Sequence, residues 1–276
     1  MKKMISYAKE VLAEFQKDNI PILGAAQAYY YLLAIVPMVI LLLSILPYLN
    51  IDTETVMGFM QNVVPGGTAE IFRENIVSLV EQPKGGLLTV GIIGTLWSAS
   101  SGVNAFIQSA NIAYNVDETR SFIKVRLLSI LLTIGMVIAI VVALALPIFG
   151  DVIINFVNNF LGLPEQTVIL FQVLRWVISI IVMSAILMAL YHIAPNKSLP
   201  FPEILPGAII TAILWQLISL AFSFYVSNFG NYSATYGSLG GIIILMLWFF
   251  ITGIILMVGA EINVIHHRRK HGGAKG

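Results

Sequence analysis

Six long apolar stretches alternate with polar segments along the chain: Gln27 to Leu46, Leu87 to Phe106, Leu127 to Pro147, Val173 to Ile193, Leu205 to Val226 and Leu239 to Ala260. Each is close to the ~20 apolar residues that a helix needs to cross a bilayer. In hydrocarbon the backbone must satisfy its own hydrogen bonds, so the pattern predicts an all-α integral membrane protein with six transmembrane helices. The first twenty residues read differently. Met4, Ala8, Val11, Leu12 and Phe15 recur at helical spacing while Lys2, Lys3, Lys9, Glu10, Glu14 and Lys17 take other faces. That spacing predicts an N-terminal amphipathic helix lying on the membrane surface. Pro21 separates it from the first span, and Pro37 inside that span predicts a kink.

Two connecting segments are predicted to lie outside the bilayer. Tyr48 to Gly86 is polar and is divided by Pro65-Gly66-Gly67, which reads as a folded loop; Val152 to Leu163 has helical spacing but is too short to cross, which reads as an interfacial helix. The organisation is then an amphipathic helix over residues 1–20, one membrane domain over 21–265 and a basic tail over 266–276.

Composition agrees with lipid as the main solvent. Hydrophobic residues make up 58% of the 276 and charged ones 11%, against about 25% charged in an ordinary soluble domain. The absence of cysteine removes disulfides, thiolate ligands and thiol nucleophiles. A net charge of +1 gives no global basic field for nucleic acid. Charge matters here by position. Twelve basic residues, Lys2, Lys3, Lys9, Lys17, Arg120, Lys124, Arg126, Lys197, Arg268, Arg269, Lys270 and Lys275, fall on one side of the six spans, and Arg73 and Lys84 on the other. Basic residues near span ends are retained in the cytoplasm, which places both termini there. Membrane lipids are the expected partners, with anionic phospholipids at the basic termini. No cofactor or metal is expected, and the oligomeric state stays open.

Two polar faces are candidates for a substrate path. In the second span the small residues Gly91, Gly94, Ser98, Ser101 and Ala105 form a packing face, and Asn104, Gln108 and Asn111 continue as a stripe. Gln216, Ser219 and Ser223 make a comparable stripe on the fifth span. Interhelical hydrogen bonding accounts for such residues as well as a hydrated passage does, and whether the two stripes share a cavity stays open. Arg175, His192 and Glu261 are the ionisable groups nearest the membrane. They read either as interfacial anchors or as gate or coupling residues. Glu261 is the best gate candidate, being too short to reach far and following the small Gly259 and Ala260.

Separated motifs add a resemblance. Ala25-Ala26-Gln27-Ala28-Tyr29-Tyr30 with Leu32-Leu33 and Pro37, then Leu96-Trp97-Ser98-Ala99, Tyr236-Gly237-Ser238-Leu239-Gly240 and Gly259-Ala260-Glu261-Ile262-Asn263 together resemble the YihY/BrkB membrane family over residues 5–265. The resemblance implies a multi-pass, α-helical protein of the bacterial cytoplasmic membrane and no securely shared activity. Members have carried a ribonuclease BN label. Metal-dependent nucleases need clustered His and carboxylate ligands, and the sequence has no His-x-His-x-Asp-His arrangement, so no enzyme is expected. The leading reading is a transporter, exporter or lipid-translocating protein; without a P-loop its energy would come from an ion gradient, a partner or the substrate. The rival is a non-transporting envelope scaffold or partner-binding subunit.

Overall fold

The computed structural model describes residues 2–45, 85–135, 165–229 and 239–272. Among them are seven helices and no strand. In chain order they are α1 (Lys2–Lys17), α2 (Ile20–Ile45), α3 (Gly85–Ala113), α4 (residues 122–135), α5 (Glu165–Ile193), α6 (Phe201–Phe229) and α7 (Leu239–Lys270). The folded loop up to residue 84, the third predicted span beyond residue 135, the interfacial helix and residues 230–238 before α7 lie outside the described residues.

Local chemistry explains the first break. Asn19 takes a left-handed conformation (φ 49°), which asparagine tolerates better than most residues. Pro21 then falls in the first turn of α2, where its missing N–H costs nothing. The membrane helix thus begins at Ile20, before the apolar run itself. Likewise α3 runs on to Ala113 and α7 to Lys270, well past their apolar runs. The basic residues His266 to Lys270 therefore belong to the helix itself.

Among the described residues, three stretches are long and apolar enough to cross a membrane, within Thr89–Ala113, Phe201–Val226 and Leu239–Lys270; Ile20–Ile35 of α2 and Val177–Ile193 of α5 are shorter apolar stretches. Their outward faces carry large side chains that water would not tolerate in a row. Leu217, Leu220 and Phe224 on α6 and Ile242 and Met246 on α7 are each at least half exposed. Lipid covers such a face without cost.

The packed interior gathers at one end. Helix α7 is its axis, with α2 on one side and α6 on another; α3 packs mainly on α2, and α5 on α6. Close approach depends on glycine at three crossings. A Cβ on Gly253 would lie 3.0 Å from both Cα and the carbonyl oxygen of Gly24, so α2 and α7 meet backbone to backbone. A Cβ on Gly207 would collide with the Asn263 side chain and the Gly259 carbonyl, and one on Gly259 with the hydroxyls of Thr211 and Tyr191. Small residues let helix backbones approach in lipid, where no hydrophobic force drives them together.

Candidate functional site

The end of the bundle where the packing is densest also holds both ends of the described chain. Helix α1 folds back across the end of α7: the Tyr7 hydroxyl donates to the Ile262 carbonyl at 2.8 Å, Arg268 reaches Glu14 at 2.7 Å and Arg269 reaches Glu10 at 2.6 Å. The polar face of the amphipathic helix is thus spent partly on protein. Here too lie the 114–121 and 194–200 connections, tied by Arg120 donating to the Ala194 carbonyl (2.9 Å) and Tyr114 to that of Tyr191 (3.2 Å).

Glu261 sits inside this end with no exposed surface. The turn of α7 around it, from Gly259 to Ile265, is entirely buried. Neither Glu261 oxygen has a hydrogen-bond partner among the described residues, and neither does Asp18 Oδ2. One ligand oxygen each from Glu14, Asp18 and Glu261 lies within 4.8 Å of the others. The cations present are spent elsewhere in the group. Lys17 and Arg268 each bond to Glu14, at 2.9 and 2.7 Å, and Lys17 stands 3.8 Å from Asp18 Oδ1. Burial pushes the Glu14 carboxyl up, but the bonds to Lys17 and Arg268 outweigh it and hold it below the usual range.

A second charged group lies alongside. Glu203, in the first turn of α6, is 2% exposed and accepts from His267 Nδ1 (2.5 Å), His271 Nε2 (2.9 Å) and Lys270 Nζ (3.1 Å). His267 lies in the last turn of α7 and His271 just beyond its end, four residues on, and with Glu203 they have the donor types and spacing of a metal site. Direct hydrogen bonds fill the arrangement, and Lys270 adds a positive charge that opposes a metal. Sequence reasoning did not pair Glu203 with these histidines, although the four-residue spacing of His267 and His271 was a usable signal.

The predicted path residues separate. Asn111 is buried and committed to the connections: its Nδ2 donates to Glu118 and its Oδ1 accepts the Asn196 N–H at 2.7 Å. Asn104 is half-buried with Oδ1 unpartnered among the described residues, and Gln108 is exposed. On α6, Gln216 donates to Ser179 of α5 at 3.5 Å; Ser219 is half-buried and Ser223 exposed. As whole helices, α3 packs mainly on α2, and α6 packs on α7 and α5. His192 donates from Nδ1–H to the Leu199 carbonyl (2.9 Å) and stacks on Phe201, closing the turn between α5 and α6. Arg175 lies on α5, and its side chain is outside the described set. On the small face of α3, Gly94 meets Pro37 and Gly102 faces the Tyr31 ring, whereas Ser101 accepts from Arg126, whose guanidinium covers Trp97 at 3.8 Å.

Apolar outward faces, buried polar contacts between helices and glycine crossings define a helical membrane protein. The chain matches the family model described as virulence factor BrkB over residues 11–276, and it belongs to that family. It is 43% identical over 266 residues to the ribonuclease-like protein YfkH of Bacillus subtilis, covering 96% of this chain and 97% of that one. It is 24% identical over 273 residues to the UPF0761 membrane protein VV0203 of Vibrio vulnificus, covering 97% and 84%. With the UPF0761 membrane protein PBPRA3489 of Photobacterium profundum it shares 27% over 276 residues, covering 98% and 83%. No solved structure matches the chain.

Proposed function

We propose that the protein is a bacterial inner-membrane transporter, exporter or lipid-translocating protein in which Glu261 is the gate or coupling residue. One observation carries this reading: a fully buried carboxylate whose two oxygens find no donor among the described residues. Burying a charge without compensation costs several kcal/mol or more, and a purely structural position would be better filled by an apolar side chain. Ionisable groups held inside a membrane bundle at such cost mark ion or substrate pathways.

The proposed topology has six spans with both termini in the cytoplasm. Supporting it, α1, the end of α7 and the 114–121 and 194–200 connections share one end of the bundle, and these segments carry most of the basic residues. A path on the α5–α6 side is favoured by Gln216 and Ser179, which meet between those helices, with Ser219 and Ser223 continuing along α6. Asn111 is better read as a structural residue of the loops. Nuclease chemistry is left out of the proposal, because the group at Glu203 is closed by its own hydrogen bonds and by Lys270.

Purified protein in liposomes, assayed for ion flux and for movement of fluorescent lipids, tests the reading. Flux above that of protein-free liposomes is the expected result. Tight liposomes with correctly folded protein would instead support the scaffold.

A further inference from the structure

Glu14 and Asp18 come from the last turn of α1 and the break after it, while Glu261 comes from α7, some 240 residues away in sequence. Folding brings them together. Of the six carboxylate oxygens, the two of Glu14 are taken by Lys17 and Arg268, and Asp18 Oδ1 faces Lys17. That leaves Asp18 Oδ2 and both oxygens of Glu261, all buried and all without a donor among the described residues. With all three carboxylates ionised, the two cationic side chains leave one negative charge for a bound cation or a proton to balance. The oxygens belong to rigid, packed segments: Tyr7 pins α1 to the Ile262 carbonyl beside Glu261. Their spacing suits an ion. One ligand oxygen from each of the three residues lies within 4.8 Å of the others, close enough for a single hard cation with bonds of about 2.4 Å to reach them.

We infer that Glu14, Asp18 and Glu261 form a binding site for a small, hard monovalent metal cation of the size of Na⁺, with Asp18 and Glu261 as its direct ligands. Carboxylate oxygens select such ions over soft transition metals. A single positive charge balances the group with Lys17 and Arg268 in place, whereas a divalent ion would leave it with excess positive charge. Because α1 and α7 each supply ligands, the ion clamps one helix to the other. Its role as a coupling ion rests on the transport reading above; its binding does not.

The test uses full-length protein in detergent, with no flux involved. Thermal unfolding is followed in NaCl, KCl, MgCl₂ and choline chloride at equal ionic strength and constant pH, and ²²Na⁺ binding is measured by scintillation proximity. Sodium should raise the unfolding temperature by about 3–5 °C over choline. One ²²Na⁺ should bind per chain, and Asp18→Asn and Glu261→Gln should each abolish both effects. In choline, Glu261→Gln should be at least as stable as the wild type, since it removes an uncompensated charge. Should the variants fail to fold, saturable ²²Na⁺ binding to the wild type, competed by Na⁺ and not by choline, supports the site. Wild-type protein that binds no ²²Na⁺ and is stabilised only by lowering the pH would overturn it, because the carboxyl pair would then hold a proton. Stabilisation by Mg²⁺ and not Na⁺ would overturn the monovalent assignment.

Discussion

Asn263 Oδ1 accepts the backbone N–H of Gly207 at 2.9 Å, and a Cβ added to Gly207 would collide with that same oxygen. The bond joins α6 to α7 two residues from Glu261 and fixes how closely the two helices pass. Gly207→Ala should destabilise the protein by about 1–3 kcal/mol through overpacking. Asn263→Ala should cost about 1–3 kcal/mol because a buried N–H loses its acceptor. Combining the two should cost less than their sum, since Asn263→Ala removes one obstacle to the new methyl group; the Gly259 carbonyl remains as the other. Thermal unfolding of the four proteins in detergent measures the coupling, and strict additivity would contradict the contact.

Loop chemistry leads to a pH-dependent prediction. Arg120 donates to Glu118 from its guanidinium at 2.6 and 2.8 Å and from its backbone N–H at 2.9 Å, and these bonds hold the Glu118 carboxyl at about 2, below its ordinary 4.5. A depressed carboxylate contributes stability that is present above the ordinary value and is lost as the pH falls towards the folded one. Glu118→Gln should therefore be less stable than wild type at neutral pH, and the gap should close between pH 4.5 and about 2. Unfolding curves of both proteins across that range check it; a gap that stays constant would contradict the pairing.

For the topology, a reporter fused after Lys275 should be cytoplasmic, and tags inserted near Gly66 or Asn231 should be reached from outside in intact spheroplasts. The asymmetry of twelve basic residues against two motivates the expectation. Protection of either inserted tag would overturn the six-span arrangement.

The apolar runs made the membrane helices legible because lipid demands uninterrupted apolar length, a property that is local in sequence. Their polar extensions were not legible in the same way. The start of α2 at Ile20 depends on the αL turn at Asn19, and the extension of α7 to Lys270 depends on partners from α1 and α6. Glu261 stood out because it follows two small residues at the end of an apolar run. Its companions did not. Glu14 reads as a polar-face residue of an amphipathic helix and Asp18 carries no pattern of its own until that helix folds over α7, and Glu203 meets its histidines across 64 and 68 residues. The stripe of Asn104, Gln108 and Asn111 was visible as a period, but a period cannot say whether the neighbour is a path, a loop or lipid.

The most direct test of the account is the effect of Glu261→Gln on flux through proteoliposomes. The substitution keeps the shape of the side chain and removes its charge, so a residue that serves only packing would be little affected. If Glu261 gates or couples transport, flux should fall at least about tenfold while folded yield and unfolding temperature in choline stay at or above wild type, a loss of about 1.4 kcal/mol or more in the rate-limiting step. Wild-type flux in folded Glu261→Gln protein would contradict the central claim.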